Sequence, residues 1–312
     1  MLDFVEEQRI RPLGGRQRFE GIAFAPDGSS LAVATSEANV LLLYRHTDGR
    51  LAEEPFATIA GARSRLEYPH DVAFSAAGDL MAVAQRKGAV AVYEREGEGF
   101  ASDPAFVIRG PRTRLYFSDG VAFVPPGDDA LAVCNLKNDS ISFYRMTSRS
   151  PLAFELTPSR EWKGDAIFEP DGLAFSDEGR WLAVANHGNN TVAIFECGAA
   201  DSAAVTILRH RSFRFPHSVA FTPGADQLLV TNAGANYFSV FERHEGGWSR
   251  SPVARHIVGP DRTFREVNAR CKAEGGPKGI AVHGEHVAIC SPEQGIVLYT
   301  LQRRKRLAFL RR

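Results

Sequence analysis

Six times along this chain a short apolar segment of alternating large and small residues returns. Its clearest copy runs Gly172-Leu173-Ala174-Phe175, then Trp181-Leu182-Ala183-Val184-Ala185-Asn186, then Thr191-Val192-Ala193-Ile194-Phe195. Apolar positions recur every second residue, the period of a pleated strand. The turns between them are Ser176-Asp177-Glu178-Gly179 and His187-Gly188-Asn189-Asn190. The first strand recurs from Gly21, Asp71, Gly120, Ser218 and Gly279, giving successive spacings of 50, 49, 52, 46 and 61 residues. The third strand ends each time on an aromatic: Tyr44, Tyr93, Tyr144, Phe195, Phe241 and Tyr299. Alternating bulky and shallow positions let one sheet pack on the next. A repeat of about 40–50 residues built of strands is the mark of a propeller blade. The expected fold is all-β, a six-bladed β-propeller with four antiparallel strands per blade.

Blades are expected to start near residues 19, 69, 118, 170, 216 and 277, forming one unit over 1–302. A fourth, outer strand follows the first five repeats, at 56–59, 105–108, 154–156, 205–208 and 253–258. The sixth repeat reaches its third strand and runs into a basic tail at 303–312. The unassigned segment Phe4 to Ile10 has the length to supply the missing outer strand. It would close blade six and remove the open sheet edge that invites aggregation.

Lys and Arg number 37, as do Asp and Glu, so the whole chain shows no bias toward nucleic acid or membrane. Residues 303–312 hold six of those basic groups around Leu307, Phe309 and Leu310, a surface suited to a protein partner. Cys134, Cys197, Cys271 and Cys290 form no C-x-x-C pair, so reduced thiols are expected. No secretory pattern opens the chain and no apolar run approaches about 20 residues. The expectation is a cytoplasmic protein without a membrane span.

Up-and-down strands decide which residues share a face. The loop leading into the first strand and the loop leaving the second lie at the same rim. At the start of the inner strands stand Glu20, His70, Asp119, Asp171, His217 and Lys278. In a closed ring these converge at the mouth of the central channel. Carboxylates and imidazoles gathered there would shift each other's pKa values and have the donor types of a divalent cation: calcium, zinc or manganese. The expected metal ligands are Glu20, Asp119, Asp171 and His217. Leaving the second strand are Asn135, Asn186, His187 and Asn232, polar groups suited to orient a ligand. Further out the leading loops repeat arginines, among them Arg63 and Arg65, and Arg112 and Arg114. With Lys278 they would steer a small anionic molecule inward.

Pro69-His70-Asp71-Val72-Ala73-Phe74, the 175–186 segment and Asn190 to Phe195 resemble the repeats of lactonase-like propellers. These include the gluconolactonase and senescence-marker-protein group, the paraoxonases and the carboxymuconate-cyclase group. The first group implies a metal held by a Glu before Gly, two Asn and an Asp. Glu20-Gly21 is similar to the first of these. Asp119-Gly120 and Asp171-Gly172 stand at the Asn positions, and His217 at the Asp position. A His ligand favours zinc or another transition metal. The carboxymuconate-cyclase group has seven blades and no metal, against six repeats here. The resemblance implies metal-assisted hydrolysis or lactonisation of a small anionic lactone or ester. His70 or His217 would serve as general base, with Asp119 in the same catalytic set. The alternative is a non-catalytic propeller that binds an anionic metabolite or a protein. No Gly-x-Ser-x-Gly or His-Glu-x-x-His motif offers another hydrolytic route.

Overall fold

Each copy of the repeat forms a separate antiparallel sheet in the computed structural model, which describes residues 2–11, 18–198, 204–259 and 274–303. The described residues form six such sheets, so the six-bladed propeller is the observed fold. The inner strands are Phe19–Phe24, Pro69–Phe74, Ser118–Phe123, Pro170–Phe175, Pro216–Phe221 and Ile280–His283. Large side chains of each second and third strand fill the space between blades. One such layer joins Leu31, Val33 and Tyr44 of blade one to Ala288, Cys290 and Leu298 of blade six.

The N-terminal strand Leu2–Ile10 pairs antiparallel with the last strand, Gly295–Arg303, and forms the outer edge of blade six. Phe4 packs edge-on against Phe238, with ring centroids 4.9 Å apart. The ring is therefore closed between the first strand and the last.

The outer layer departs from the expected pattern in several blades. The third strands of blades one, two, three and five are long, and they pair first with a short hairpin partner. Those partners are Arg50–Leu51, Gly99–Phe100, Leu152–Phe154 and Gly247–Trp248. The chain then returns to pair lower on the same strand. In blade three the expected outer strand at 154–156 is thus replaced by two pieces, Leu152–Phe154 and Arg160–Trp162. The polar segment between them leaves the sheet.

Cys134 and Cys290 are buried free thiols and Cys197 is half-buried. Among the described residues no helix is long and apolar enough to cross a membrane. The tail beyond Arg303 lies outside the described residues, as does Cys271.

Candidate metal centre at the mouth of the ring

A break in strand register aims the mouth residues. Pairing of the first and second strands jumps between Phe19 and Ile22, Pro69 and Asp71, Ser118 and Val121, Pro170 and Leu173, and Pro216 and Val219. A bulge leaves its residues unpaired and re-aims their side chains. In these five blades the bulged residues are the mouth residues, and in blade six Lys278 stands just before the inner strand. Glu20, His70, Asp119, Asp171, His217 and Lys278, one from each blade, are at most 3 % exposed. Glycine follows four of them, since a Cβ on Gly120 would lie 2.5 Å from the Asp171 carbonyl oxygen. One on Gly172 would lie 2.5 Å from that of His217. The inner strands meet here backbone to backbone.

The six side chains fall into two groups. In the first, permanent cations hold carboxylates. Arg86 donates to both oxygens of Asp119, at 2.8 and 3.0 Å. Arg18 and Lys278 reach Glu20, at 2.5 and 3.5 Å, and Glu274, at 2.9 and 3.1 Å. Burial raises the Glu20 carboxyl, but Lys278, His217, His70 and Arg18 outweigh it and hold it well below the usual range. Burial likewise opposes Glu274, which Lys278 still brings down to about 2.

The second group has imidazoles in place of permanent cations. His70 Nδ1 lies 3.8 Å and His217 Nε2 3.7 Å from Asp171 Oδ1, and His187 Nδ1 lies 3.4 Å from Asp171 Oδ2. His70 and His217 also approach Glu20 Oε2, their Nε2 atoms at 3.6 and 3.5 Å, and their rings stack 5.0 Å apart. Burial, then the Asp119 charge, raises Asp171 well above the usual range. Burial and the Lys278 charge bring His187 down to about 4 and His217 to about 3. Burial and Arg86 hold His70 low as well. At neutral pH the imidazoles are uncharged.

Glu20 Oε2, His70 Nε2, His217 Nε2 and Asp171 Oδ2 are buried and make no hydrogen bond. Their separations are too long for a shared proton. Those of Glu20, His70 and His217 suit donor atoms around one ion, since tetrahedral zinc with bonds of about 2.0–2.1 Å places its ligands about 3.3–3.5 Å apart. Asp171 Oδ2 instead faces His187. Glu20, His70 and His217 form one set whose donor atoms lie within 4.8 Å of one another, and His70, Asp119 and Asp171 form another. Both oxygens of Asp119 are hydrogen-bonded by Arg86, whereas Glu20 Oε2 has Lys278 Nζ 3.5 Å away and makes no hydrogen bond, so the first set is the more open to an ion. The residues present fit a divalent ion.

Other expected site residues are placed elsewhere. The side-chain oxygens of Asn135, Asn186 and Asn232 accept the backbone N–H of Tyr116, Phe168 and Arg214, two residues before the next inner strand. Their amide nitrogens donate within the same blade, for example Asn135 to Ser142 and Asn186 to Thr191. These amides brace the leading loops. Arg63 pairs with Asp103 and Arg114 with Glu161, and both are exposed. Among the described residues no ion pair of Arg63, Arg65, Arg112 or Arg114 reaches the cluster. Its guanidinium groups are instead Arg18 and Arg86. Arg86 directly follows the amide residue Gln85, as His187 follows Asn186, so reading one residue further would have found it. Glu274 sits in the long link between blades five and six, and no repeat marks it.

The braced loops carry a further repeated feature. Tyr68, Phe117, Glu169 and Phe215, each two residues before a cluster member, have φ between 43° and 61°. This left-handed conformation costs a non-glycine residue about 1–2 kcal/mol. Three of them donate their N–H to Asn39, Asp139 or Asn190 of the preceding blade.

A sequence family described as "Lactonase, 7-bladed beta-propeller" matches residues 154–263, from the outer layer of blade three through blade five. No curated protein matches the chain. Among solved structures, a functionally unknown protein from Desulfotomaculum acetoxidans DSM 771 has TM-score 0.58 and 14 % identity, over 90 % of this chain and 85 % of that one. A chain of a mitotic checkpoint complex has TM-score 0.60 and 12 % identity, over 90 % and 74 %. At these identities the likeness is one of fold. The matched segment is lactonase-like, and it belongs here to a ring of six sheets rather than seven.

Proposed function

We propose that this protein is a lactonase-like hydrolase, in which a divalent metal held by Glu20, His70, His217 and Asp171 assists opening of a small anionic lactone or ester. The observation that carries this reading is the convergence of three buried donor atoms that make no hydrogen bond, Glu20 Oε2, His70 Nε2 and His217 Nε2, from three blades, with Asp171 Oδ1 3.7 Å from His217 Nε2. Two imidazoles in the set favour zinc over manganese or calcium. When bound, such an ion supplies Lewis-acid polarisation of a carbonyl and a water of lowered pKa. Arg18 and Arg86 are partly exposed at the mouth and suit a substrate carboxylate. His187 is the most exposed of the three imidazoles, 16 % by side chain. Uncharged at neutral pH, it takes the proton of the attacking water and returns it to the alkoxide released when the acyl C–O bond breaks.

The near-complete burial of Glu20, His70 and His217 favours a second reading, in which the ion braces the ring and the mouth binds an anionic ligand without turnover. Metal analysis of the purified protein, repeated on Glu20→Gln and His217→Ala, with a panel of lactones and esters, separates the two. Stoichiometric metal in the wild type, loss of metal in the variants, and chelator-sensitive turnover are expected. Metal without turnover leaves the second reading. A protein free of metal, with melting indifferent to zinc and to chelator, overturns both.

A further inference from the structure

Below the cluster the ring encloses a second space. A channel of about 330 Å³ runs between the six inner strands, and none of the six cluster residues lines it. Pro125, Ser176 and Asp177 line its far end. They belong to turns between first and second strands, so the channel opens on the face opposite the cluster. The layer between the two spaces holds Gly21, Gly120, Gly172 and Gly279, and only two residues with longer side chains, Asp71 and Ser218. Both are half-buried and line the channel. Asp71 lies across the neck: a Cβ on Gly21 would be 2.7 Å from its Oδ1, and its Oδ2 accepts the N–H of Val121 at 3.1 Å.

The lining is of one charge. It carries three carboxyl groups, Asp71, Asp128 and Asp177, and no Lys, Arg or His. At the open end Asp177 is exposed, and Asp128 accepts the N–H of Ala76 and feels Arg149, which does not line the channel. At the blind end Asp71 has no such cation. The mouth carboxylates are matched, Asp119 by Arg86 and Glu20 by Arg18 and Lys278, but among the described residues Asp71 forms no salt bridge. A buried acid without a counter-ion is costly, and a cation brought to it relieves that cost.

Between the two ends the walls are apolar. Each inner strand contributes one alanine: Ala23, Ala73, Ala122, Ala174, Ala220 and Ala281. Three residues of strand, about 10 Å, separate Asp71 from Phe74 near the open end. The volume is in the range of small-molecule sites, and so is the combination of an apolar wall with one polar anchor. An inorganic ion would use the carboxylate alone. A primary alkylammonium ion uses both features, its three N–H donors at Asp71 and its chain along the alanines.

We propose that this channel is a second ligand site, for a small alkylammonium ion that enters from the face opposite the cluster and seats its ammonium group on Asp71. The proposal is independent of the hydrolase reading. It is tested by calorimetric titration of the full-length protein with four probes: butylammonium, methylammonium, butanol and butyrate. Butylammonium is expected to bind about tenfold or more tighter than butanol or butyrate, the scale of a hydrogen bond to a charged group. It is expected to bind about tenfold tighter than methylammonium, since each fully buried CH₂ is worth about fourfold. Asp71→Asn, verified as folded by its melting temperature, is expected to erase the preference of butylammonium over butanol.

A photoreactive diazirine alkylamine, mapped by mass spectrometry on the wild type, locates the site without any variant. It is expected to label the inner strands, among them Pro69–Phe74. Failure of butylammonium to bind overturns the proposal, as does butanol or butyrate binding equally well. Methylammonium binding as tightly overturns it in favour of a simple cation site. A preference that survives in folded Asp71→Asn, or label confined to the mouth around Arg18, His187 and Glu274, also overturns it.

Discussion

Arg86 grips Asp119 through two parallel hydrogen bonds, Nε to Oδ1 at 2.8 Å and Nη2 to Oδ2 at 3.0 Å. The carboxylate is fully buried and the guanidinium reaches it from the partly exposed rim. Burial raises Asp119, Arg86 opposes it, and the carboxyl comes to about 6, still ionised at neutral pH. Removing one partner of a buried pair leaves an uncompensated charge, which costs about 3–5 kcal/mol. Arg86→Met is expected to lose that much stability at pH 7.5 in urea denaturation. Arg86→Met with Asp119→Asn is expected to recover most of it. A single variant as stable as the wild type would mean that the pair is not formed.

The neck of the ring tolerates no methyl group. A Cβ on Gly172 would meet backbone atoms of the neighbouring blade, His217 oxygen at 2.5 Å and Ser218 Cα at 2.8 Å. Backbone cannot rotate away as a flexible side chain can, so the two inner strands must separate. Overpacking of this kind costs about 1–3 kcal/mol. Gly172→Ala is expected to lower the melting temperature and, by moving Asp171 from His217, to weaken zinc binding measured by competition with a chromophoric chelator. Unchanged zinc affinity would show that the donor atoms do not act together.

The repeat was legible because its period is carried by apolar residues, which burial forces to alternate on every second strand position. Glu20, His70, Asp119, Asp171, His217 and Lys278 were legible for the same reason, since each stands at the same place in its copy. Which of them would be free was not. That depends on cations arriving from other loops: Arg86 after a second strand, Arg18 before a first, and Glu274 from a link with no counterpart in other blades. The loop-bracing of Asn135, Asn186 and Asn232 was not legible, because an amide that braces a loop and one that orients a ligand leave the same mark in sequence. The partners of the exposed Arg63 and Arg114 were not legible either, because long side chains pair with nearby carboxylates, Asp103 and Glu161, which the linear order hides.

The buried titratable groups oppose one another over a shared pH window. His187 and His217 are brought to about 4 and about 3, so only the unfolded chain binds their protons between those values and about 6.5. Each therefore stabilises the fold above pH 6.5, and that contribution is lost as pH falls through the window. Asp119 and Asp71, raised to about 6 and about 7, act in the reverse sense. The folded state keeps protons that the unfolded chain releases above about pH 4, so their contribution is lost as pH rises. In chelator, His187→Gln is expected to remove one gain, and the stability difference from wild type should grow by about 3 kcal/mol from pH 4 to 6.5. Urea denaturation at three pH values measures it. A difference that does not change with pH would mean His187 is not held uncharged.

The closing strand makes the last prediction. Leu2–Ile10 pairs along nearly its whole length with Gly295–Arg303, joining the two ends of the described chain. Phe4 is 8 % exposed and packs with Val240, Val258, Val297 and Tyr299, so one N-terminal side chain joins blades five and six. Truncating a buried phenylalanine to alanine costs about 3–5 kcal/mol, through lost transfer energy and the cavity left behind. Phe4→Ala is expected to fall in that range in urea denaturation, while Val5→Ala, whose side chain is 38 % exposed, should change little. Removing residues 1–10 outright would bare the backbone of Gly295–Arg303 as an unpaired edge. The truncated protein is expected to unfold at lower temperature and to self-associate, as read by light scattering. If it stays monomeric and melts unchanged, the ring is held shut by the packing between blades six and one alone, where Ile22 and Phe24 meet Ala288 and Leu298.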